Sequence, residues 1–193
     1  ILVNNVSDAA YIHLSTGAEG RYIVELKVYD ENDAFISTLW KGYLLPDQFS
    51  EPFITGKYFI NFIAVDGLGL IKGKGLNRLN QFERTSVTTL LSNILSSTGS
   101  QLPIYIAPAI ENAIEDVLVS EIEIDTTAYL EKASDKDTII ADYYDLLNDI
   151  LTVLGCKVFQ YNSIWYIVGI NRLSEETIDF EVHNWLGQYQ STQ

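Results

Sequence analysis

The chain has 193 residues, 47% of them hydrophobic, which is the range of an ordinary folded protein with one or two domains. Its formal net charge is −14, and it has only 12 Lys and Arg residues. A protein that binds nucleic acid directly needs clustered cations, and this sequence lacks them. It has no uninterrupted apolar run of about 18 residues, so we expect no membrane span.

The first part of the chain has the alternation of β-strands. Apolar residues recur at every second position of YIVELKVY, residues 22–29, and the acidic cluster at 30–33 supplies turn residues before an apolar stretch resumes at 35–43. This order predicts a hairpin. A third strand is predicted over residues 58–65, and because it is apolar on both faces we expect it to be buried between two layers.

From about residue 85 the apolar period changes from two to 3.6, which predicts a helix. Thr85 or Ser86 can cap its start, and Gly99 can end it in a left-handed conformation. The apolar residues on one face of this helix are Val87, Leu90, Leu91, Ile94 and Leu95.

A second amphipathic helix is predicted further along, ending at Gly155. Its apolar stripe consists of Ile139, Tyr143, Leu146, Leu147, Ile150, Leu151 and Leu154. The segments LLSNILS and LLNDILT of the two helices match closely, and an extended segment follows each, so a duplicated helix–strand unit is one hypothesis and chance recurrence is the other.

The remaining predicted strands lie at 117–124, 157–161, 164–168 and 177–182, with Asn162 and Ser163 suited to a tight hairpin turn. The fold class is therefore α+β: an antiparallel, β-rich, barrel-like N-terminal part, then a helix-plus-hairpin part with two amphipathic helices packed on a sheet. We predict a β-rich domain at 1–82 and an α+β domain at 83–193. From the absence of Met we expect the chain to be an excerpt or a processed form of a longer protein.

Several catalytic and binding motifs were sought in the sequence. The glycines at 67–75 fit no phosphate loop, since Leu68 and Lys72 stand where glycine is needed, and they indicate a flexible connector. A calcium loop from Asp30 fails at Ala34 and Phe35. We therefore predict no metal site, no cofactor and no catalytic residue.

The histidines and the cysteine offer no catalytic or metal-binding pattern either. His13 and His183 have no neighbouring His or Cys that would indicate zinc binding. The single cysteine, Cys156, excludes an internal disulfide framework, and its apolar context predicts a buried, inert thiol.

The tryptophans divide into two groups. Trp40 and Trp165 lie inside apolar strands, where burial is expected. Trp185 follows a polar stretch and is the better candidate for an exposed contact, with a partner subunit or with the rest of a longer protein.

Two blocks of the sequence carry a family resemblance. Residues 39–72, LWKGYLLPDQFSEPFITGKYFINFIAVDGLGLIK, place an aromatic strand end, a Pro-bearing loop at 46–52 and a strand ending in Asp-Gly-Leu in that order. Residues 140–170 place an amphipathic helix before GCKVFQ and WYIV. These blocks resemble the tail-hub and baseplate proteins of tailed phages and prophages.

The resemblance implies a structural, non-enzymatic role. Such a protein forms a ring at the tail end, links the tube to the spike or fibres, binds other tail proteins, and belongs to the virion after assembly in the host cytoplasm. The loop at 46–52 would then be an assembly contact or a structural crossover. The candidate assembly contacts are Pro46, Phe49, Glu51, Pro52, Phe53 and Trp185.

Two other functions remain as hypotheses. The 12 Tyr and three Trp are compatible with a carbohydrate-binding surface module. The 26 acidic residues leave a hydrolase open, which would require a cleft with two facing carboxylates.

Overall fold

A computed structural model describes residues 2–3, 12–50, 58–75, 84–109, 118–133, 137–140 and 142–193. The chain divides into two compact units, residues 1–70 and 71–193, whereas the sequence predicts a domain boundary between 82 and 83. The described part has the predicted α+β composition, and none of its sheets closes into a barrel.

The first unit is built around a three-stranded antiparallel sheet with the order β2-β3-β5, and β1 pairs separately with β4. Its described elements are β1 Leu2–Val3, α1 Ile12–Ser15, β2 Ile23–Tyr29, β3 Phe35–Ser50, β4 Tyr58–Phe59 and β5 Asn61–Val65.

The predicted hairpin is confirmed as β2 and β3. The Asp30 carboxylate closes its turn, because Oδ1 accepts hydrogen bonds from the backbone N–H groups of Asn32 (2.9 Å) and Ala34 (2.8 Å). Asp33 adopts a positive φ of 62° in the same turn. Acidic turn residues therefore satisfy the backbone groups that the reversing chain leaves unpaired.

The third predicted strand differs from the expectation. Residues 58–65 form two short strands that are interrupted at the buried Ile60, and Phe59 is 70% exposed. The prediction of burial between two layers is wrong, because the described residues provide no second sheet over Phe59 and Ile63. An apolar pattern shows which side chains favour burial, but not whether anything covers them.

The aromatic end of the hairpin depends on a glycine. A Cβ at Gly42 would collide with the Trp40 ring and with the Val65 carbonyl on β5. Trp40 thus packs along the strand over Gly42 and is half-buried rather than fully buried. The absence of a side chain at residue 42 permits this close approach of ring and backbone.

The second unit contains a five-stranded sheet with the order β11-β12-β7-β13-β14, and two small two-stranded sheets, β6–β8 and β9–β10. Its described helices are α2 Val87–Ser96 and α3 Tyr143–Leu154. Its described strands are β6 Arg84–Ser86, β7 Ile104–Ala107, β8 Glu123–Asp125, β9 Leu130–Ala133, β10 Asp137–Ile140, β11 Cys156–Tyr161, β12 Ile164–Gly169, β13 Glu181–His183 and β14 Tyr189–Thr192. Four short 3-10 turns are described in the chain, at Leu68–Ile71, Val119–Glu121, Thr126–Tyr129 and Ile170–Ser174.

The five-stranded sheet is mixed rather than wholly antiparallel. β12 pairs with β7 in parallel, with Trp165 opposite Ile104 and Ile167 opposite Ile106. Two predicted strands are also shorter than expected. Residues 119–121 form a 3-10 turn before β8, and the strand predicted at 177–182 is paired as β13 only from Glu181.

Both predicted helices and their ends are largely confirmed. Ser86 caps α2 by accepting a hydrogen bond from the Thr89 N–H, and Gly99 adopts a φ of 90° beyond its end. Gly155 ends α3 with a φ of 64°. Ile139 is a correction, because it lies in β10 and the helix begins only after the Asp142 cap.

The core of the second unit lies against one face of the five-stranded sheet. Its four central residues, Ile104, Ile106, Trp165 and Ile167, are at most 1% exposed, and the apolar stripe of α2 is buried as predicted. Trp165 is therefore a core residue, as expected. The β11–β12 hairpin turns through Asn162 and Ser163, both at positive φ, which is the type I′ geometry that matches strand twist.

Asp142 joins the glycine-containing connector to α3. Its Oδ1 accepts a hydrogen bond from the Asp145 N–H and its Oδ2 accepts one from the Gly73 N–H, both at 2.9 Å. These bonds to the carboxylate, that of Asp145 first, lower the pKa of Asp142. The segment predicted to be a flexible connector is thus bound at the start of a helix.

We expect replacement of Ile150 by Ala to lower the free energy of unfolding by about 2–5 kcal/mol, because the 2%-exposed side chain leaves a core cavity. Val153→Ala on the same helix is the control, since that side chain is 77% exposed and should change stability by less than about 0.5 kcal/mol. Urea denaturation measures both variants. Equal losses would contradict the assignment of the buried face of α3.

Replacement of Asp142 by Ala removes the helix cap and should cost about 0.5–2 kcal/mol near neutral pH. Because folding lowers the pKa of this carboxyl, its stabilisation is complete above the ordinary carboxyl range, about pH 4, and is lost as the pH falls through the lowered value. Urea denaturation of both proteins at neutral and acidic pH should therefore show their difference shrinking towards acid. A difference independent of pH would contradict this role.

Candidate functional site

The predicted assembly loop is part of a long strand. β3 continues through Ser50, and its pairing with β5 shifts from Leu45 opposite Ile63 to Ser50 opposite Asn61. The four residues at 46–49 therefore form a large bulge opposite the single residue Phe62. The prediction that residues 46–52 form a loop is therefore wrong for residues 46–50, which belong to β3.

The six candidate contacts have different outcomes. Pro46 is buried, so it cannot be a surface contact in this conformation. Phe49 belongs to β3, but its side chain is not among the described parts of the structure. Glu51, Pro52 and Phe53 lie outside the described residues.

Trp185 is 39% exposed, in a tight turn after β13. Its carbonyl oxygen accepts hydrogen bonds from the Ser92 hydroxyl (3.0 Å) and the Ser96 hydroxyl (3.4 Å) of α2. The next residue, Leu186, is also exposed. The second unit thus presents two neighbouring apolar side chains on a turn that is anchored to a helix.

A group of exposed apolar side chains belongs to the described part of the first unit, and sequence reasoning did not single it out. We call it the exposed apolar set: Ile23, Leu26, Tyr29, Phe35, Ile36, Phe59 and Ile63, each about half or more exposed. Most of these residues lie on the β2–β3 hairpin, where the Tyr29 and Phe35 rings meet edge to face at 5.9 Å. The signal available in the sequence was the presence of apolar residues on both faces of these strands.

Charged side chains divide the β2 part of this set. Lys27 Nζ lies 2.8 Å from Glu25 Oε2, and this contact lowers the pKa of Glu25 and raises that of Lys27. Both side chains are solvent-exposed, so the pair contributes little stability. It nevertheless fixes the positions of one positive and one negative charge on an otherwise apolar strand.

An open groove of about 450 Å³ lies in the first unit, between the sheet and α1. Leu14, Val24, Leu44 and Phe62 contribute to its apolar lining. The Tyr22 hydroxyl holds α1 near the sheet by donating to the His13 carbonyl at 2.9 Å. The groove has the size of a small-ligand site, and its described lining contains no charged side chain.

The second unit carries an aromatic cluster on its five-stranded sheet. Phe159 stacks on Tyr166 at 5.5 Å, and Tyr105 and Phe180 contact the same Tyr166 ring. Tyr105 lies opposite Tyr166 on the neighbouring strand, so the cluster follows from strand register. Phe159 is the most exposed ring of the four, and the cluster is chiefly a packing element of the sheet.

The histidines and the cysteine do not form a reactive site in the described residues. His183 is fully buried, with Nε2 3.4 Å from Glu181 Oε2, whereas His13 is exposed on α1. Cys156 is buried as predicted, and burial raises the pKa of its thiol, which disfavours the reactive thiolate. Within the described ranges, no group of three or more His, Cys, Asp or Glu could hold a metal ion.

The described helices are all too short or too polar to cross a bilayer. Comparison of the chain with protein-family models, curated proteins and solved structures gives no match.

Proposed function

We propose that this chain is a structural component of a phage tail, a hub or baseplate protein that forms a ring at the tail end. In this role it links the tube to the spike or fibres through contacts with other tail proteins. It acts in the virion after assembly in the host cytoplasm, without catalysis and without a cofactor.

The exposed apolar set is the observation that carries this proposal. Most of the set lies on the β2–β3 hairpin, and large apolar side chains exposed on one small sheet are characteristic of a surface that binds another protein. Phe35 and Ile36 lie near the tip of a hairpin, where a single sheet layer cannot bury them. Coverage by another subunit would remove these side chains from water and stabilise the hairpin.

A second contact area supports the ring in particular. A ring subunit binds one neighbour through one surface and the opposite neighbour through a different surface. The first unit offers the exposed apolar set, and the second unit offers Trp185 with Leu186. Exposed Trp residues that are held by their backbone are effective anchors at protein interfaces.

The overall charge is compatible with this assembly. A net charge of −14 keeps free subunits apart through mutual repulsion, so apolar contacts must supply the association energy. The Asp-rich outer face of α3 and the apolar hairpin therefore have different roles, one in solubility and the other in binding.

The test is incorporation of the chain into purified tail particles. The double substitution Phe35→Ser and Ile36→Ser should reduce its copy number in tails by at least about tenfold, because it removes apolar contact area. The control, Val153→Ser, changes an apolar residue on α3 that is even more exposed and should leave incorporation unchanged. Quantitative mass spectrometry of the particles gives the copy number.

Absence of the unmodified chain from tails would contradict the proposal, and so would equal incorporation of the hairpin and control variants.

The exposure of Trp185 favours one alternative, a carbohydrate-binding module, since sugar rings stack on exposed indoles. Binding to a glycan array that is lost on Trp185→Ala, by a chain absent from tails, would support that alternative.

A further inference from the structure

The strand β2 is an edge strand. The order of its sheet is β2-β3-β5, and no other described strand pairs with the second edge of β2. The open edge of a strand presents N–H and C=O groups that can pair with a strand from another chain. The backbone and side chains of β2 determine which strand fits this edge.

The backbone direction of each residue follows from two hydrogen bonds at the ends of β2. The Tyr22 carbonyl accepts from the Leu44 N–H, and the Asp30 N–H donates to the Ala34 carbonyl, both at 2.9 Å. Successive residues of a strand direct their backbone groups to opposite edges. Even-numbered residues from 22 to 30 therefore face β3, and residues 23, 25, 27 and 29 face the open edge.

The β2 sequence is self-complementary in the antiparallel direction. In IVELKVY, reversal about Leu26 places Glu25 opposite Lys27, Ile23 opposite Tyr29, and Val24 opposite Val28. We infer that two copies of this chain pair through their β2 strands, antiparallel and centred on Leu26, to form one continuous six-stranded sheet.

The backbone and the charges select the same register. About Leu26, every hydrogen-bonded pair joins two odd-numbered residues, and these are the residues whose N–H and C=O groups face the open edge. A shift by two residues would place Glu25 opposite Glu25, or Lys27 opposite Lys27, and like charges directly opposite are destabilising. Only the register centred on Leu26 pairs both opposite charges.

Pairing also covers part of the exposed apolar set. Ile23, Leu26 and Tyr29 are more than half exposed in the single copy. In the paired sheet Ile23 gains Tyr29 of the second copy as a cross-strand neighbour. Because the two copies are related by a twofold axis, this contact occurs once at each end of the interface. Glu25 and Lys27 contact each other at 2.8 Å in one copy, and Glu25 also lies opposite Lys41 of β3. In the paired sheet each of the two gains a further partner of opposite charge from the second copy.

Charge substitutions test this pairing in the purified full chain by sedimentation equilibrium over a concentration series. Lys27→Glu places carboxylates opposite each other across the interface, and Glu25→Lys places two ammonium groups opposite each other. Each single substitution should weaken the dimer by about tenfold or more. The double substitution Glu25→Lys with Lys27→Glu restores opposite charges across the interface, although it places an ammonium group opposite Lys41 of the same copy. It should therefore dimerise more tightly than either single variant.

A monomeric unmodified chain would overturn the inference, as would single variants that dimerise normally or a double variant as weak as either single one. Circular dichroism checks that each variant keeps its strands, and recovery in the double variant shows that the fold tolerates both changes. The inference shares with the proposed function the expectation that copies meet and the exposed apolar residues of β2. A dimer absent from tails contradicts the proposed function alone, whereas a tail component that does not pair through β2 contradicts this inference alone.

Discussion

The first unit depends on a constraint of single sheets: three strands have two faces and two edges, and one short helix covers little of them. In the described residues, α1 and the groove beside it lie on the face of Val24 and Leu44. Tyr29, Phe35 and Ile63 lie on the other face, exposed. Because exposed apolar area is unfavourable in water, this unit has surfaces that another polypeptide would stabilise.

In the second unit, residues of the same unit pack on both faces of the five-stranded sheet. Two amphipathic helices bury Ile104, Trp165 and Ile167 on one face of its sheet, and an aromatic cluster around Tyr166 packs on the other. Ser92 and Ser96 hold the turn at Trp185 by hydrogen bonds to its backbone. The described part of the second unit therefore has the larger buried core, whereas several large apolar side chains of the sheet in the first unit stay exposed.

The local elements could be predicted from the sequence, since their causes are local. Ser86, Gly155 and the pair Asn162 and Ser163 determine caps and a turn through their own conformational preferences. The parallel pairing of β7 with β12 and the bulge at 46–49 depend on distant partners, so periodicity could not predict them. Of the candidate contact residues, the sequence predicted that Trp185 is exposed but not that Pro46 is buried. The self-complementary pattern of β2 was present in the sequence, but it could be interpreted only once β2 was known to be an edge strand.

Residue-resolved amide hydrogen exchange of the full chain at low and high protein concentration tests most directly whether a second copy completes the β2 edge. The account predicts that the amides of residues 24, 26 and 28 are protected at both concentrations, because they face β3. The amides of residues 23, 25, 27 and 29 should gain protection only at high concentration, where two copies pair. Rapid exchange of these four amides at every concentration would contradict the account, and so would equal protection at every concentration, which would mean that the edge is covered within one copy.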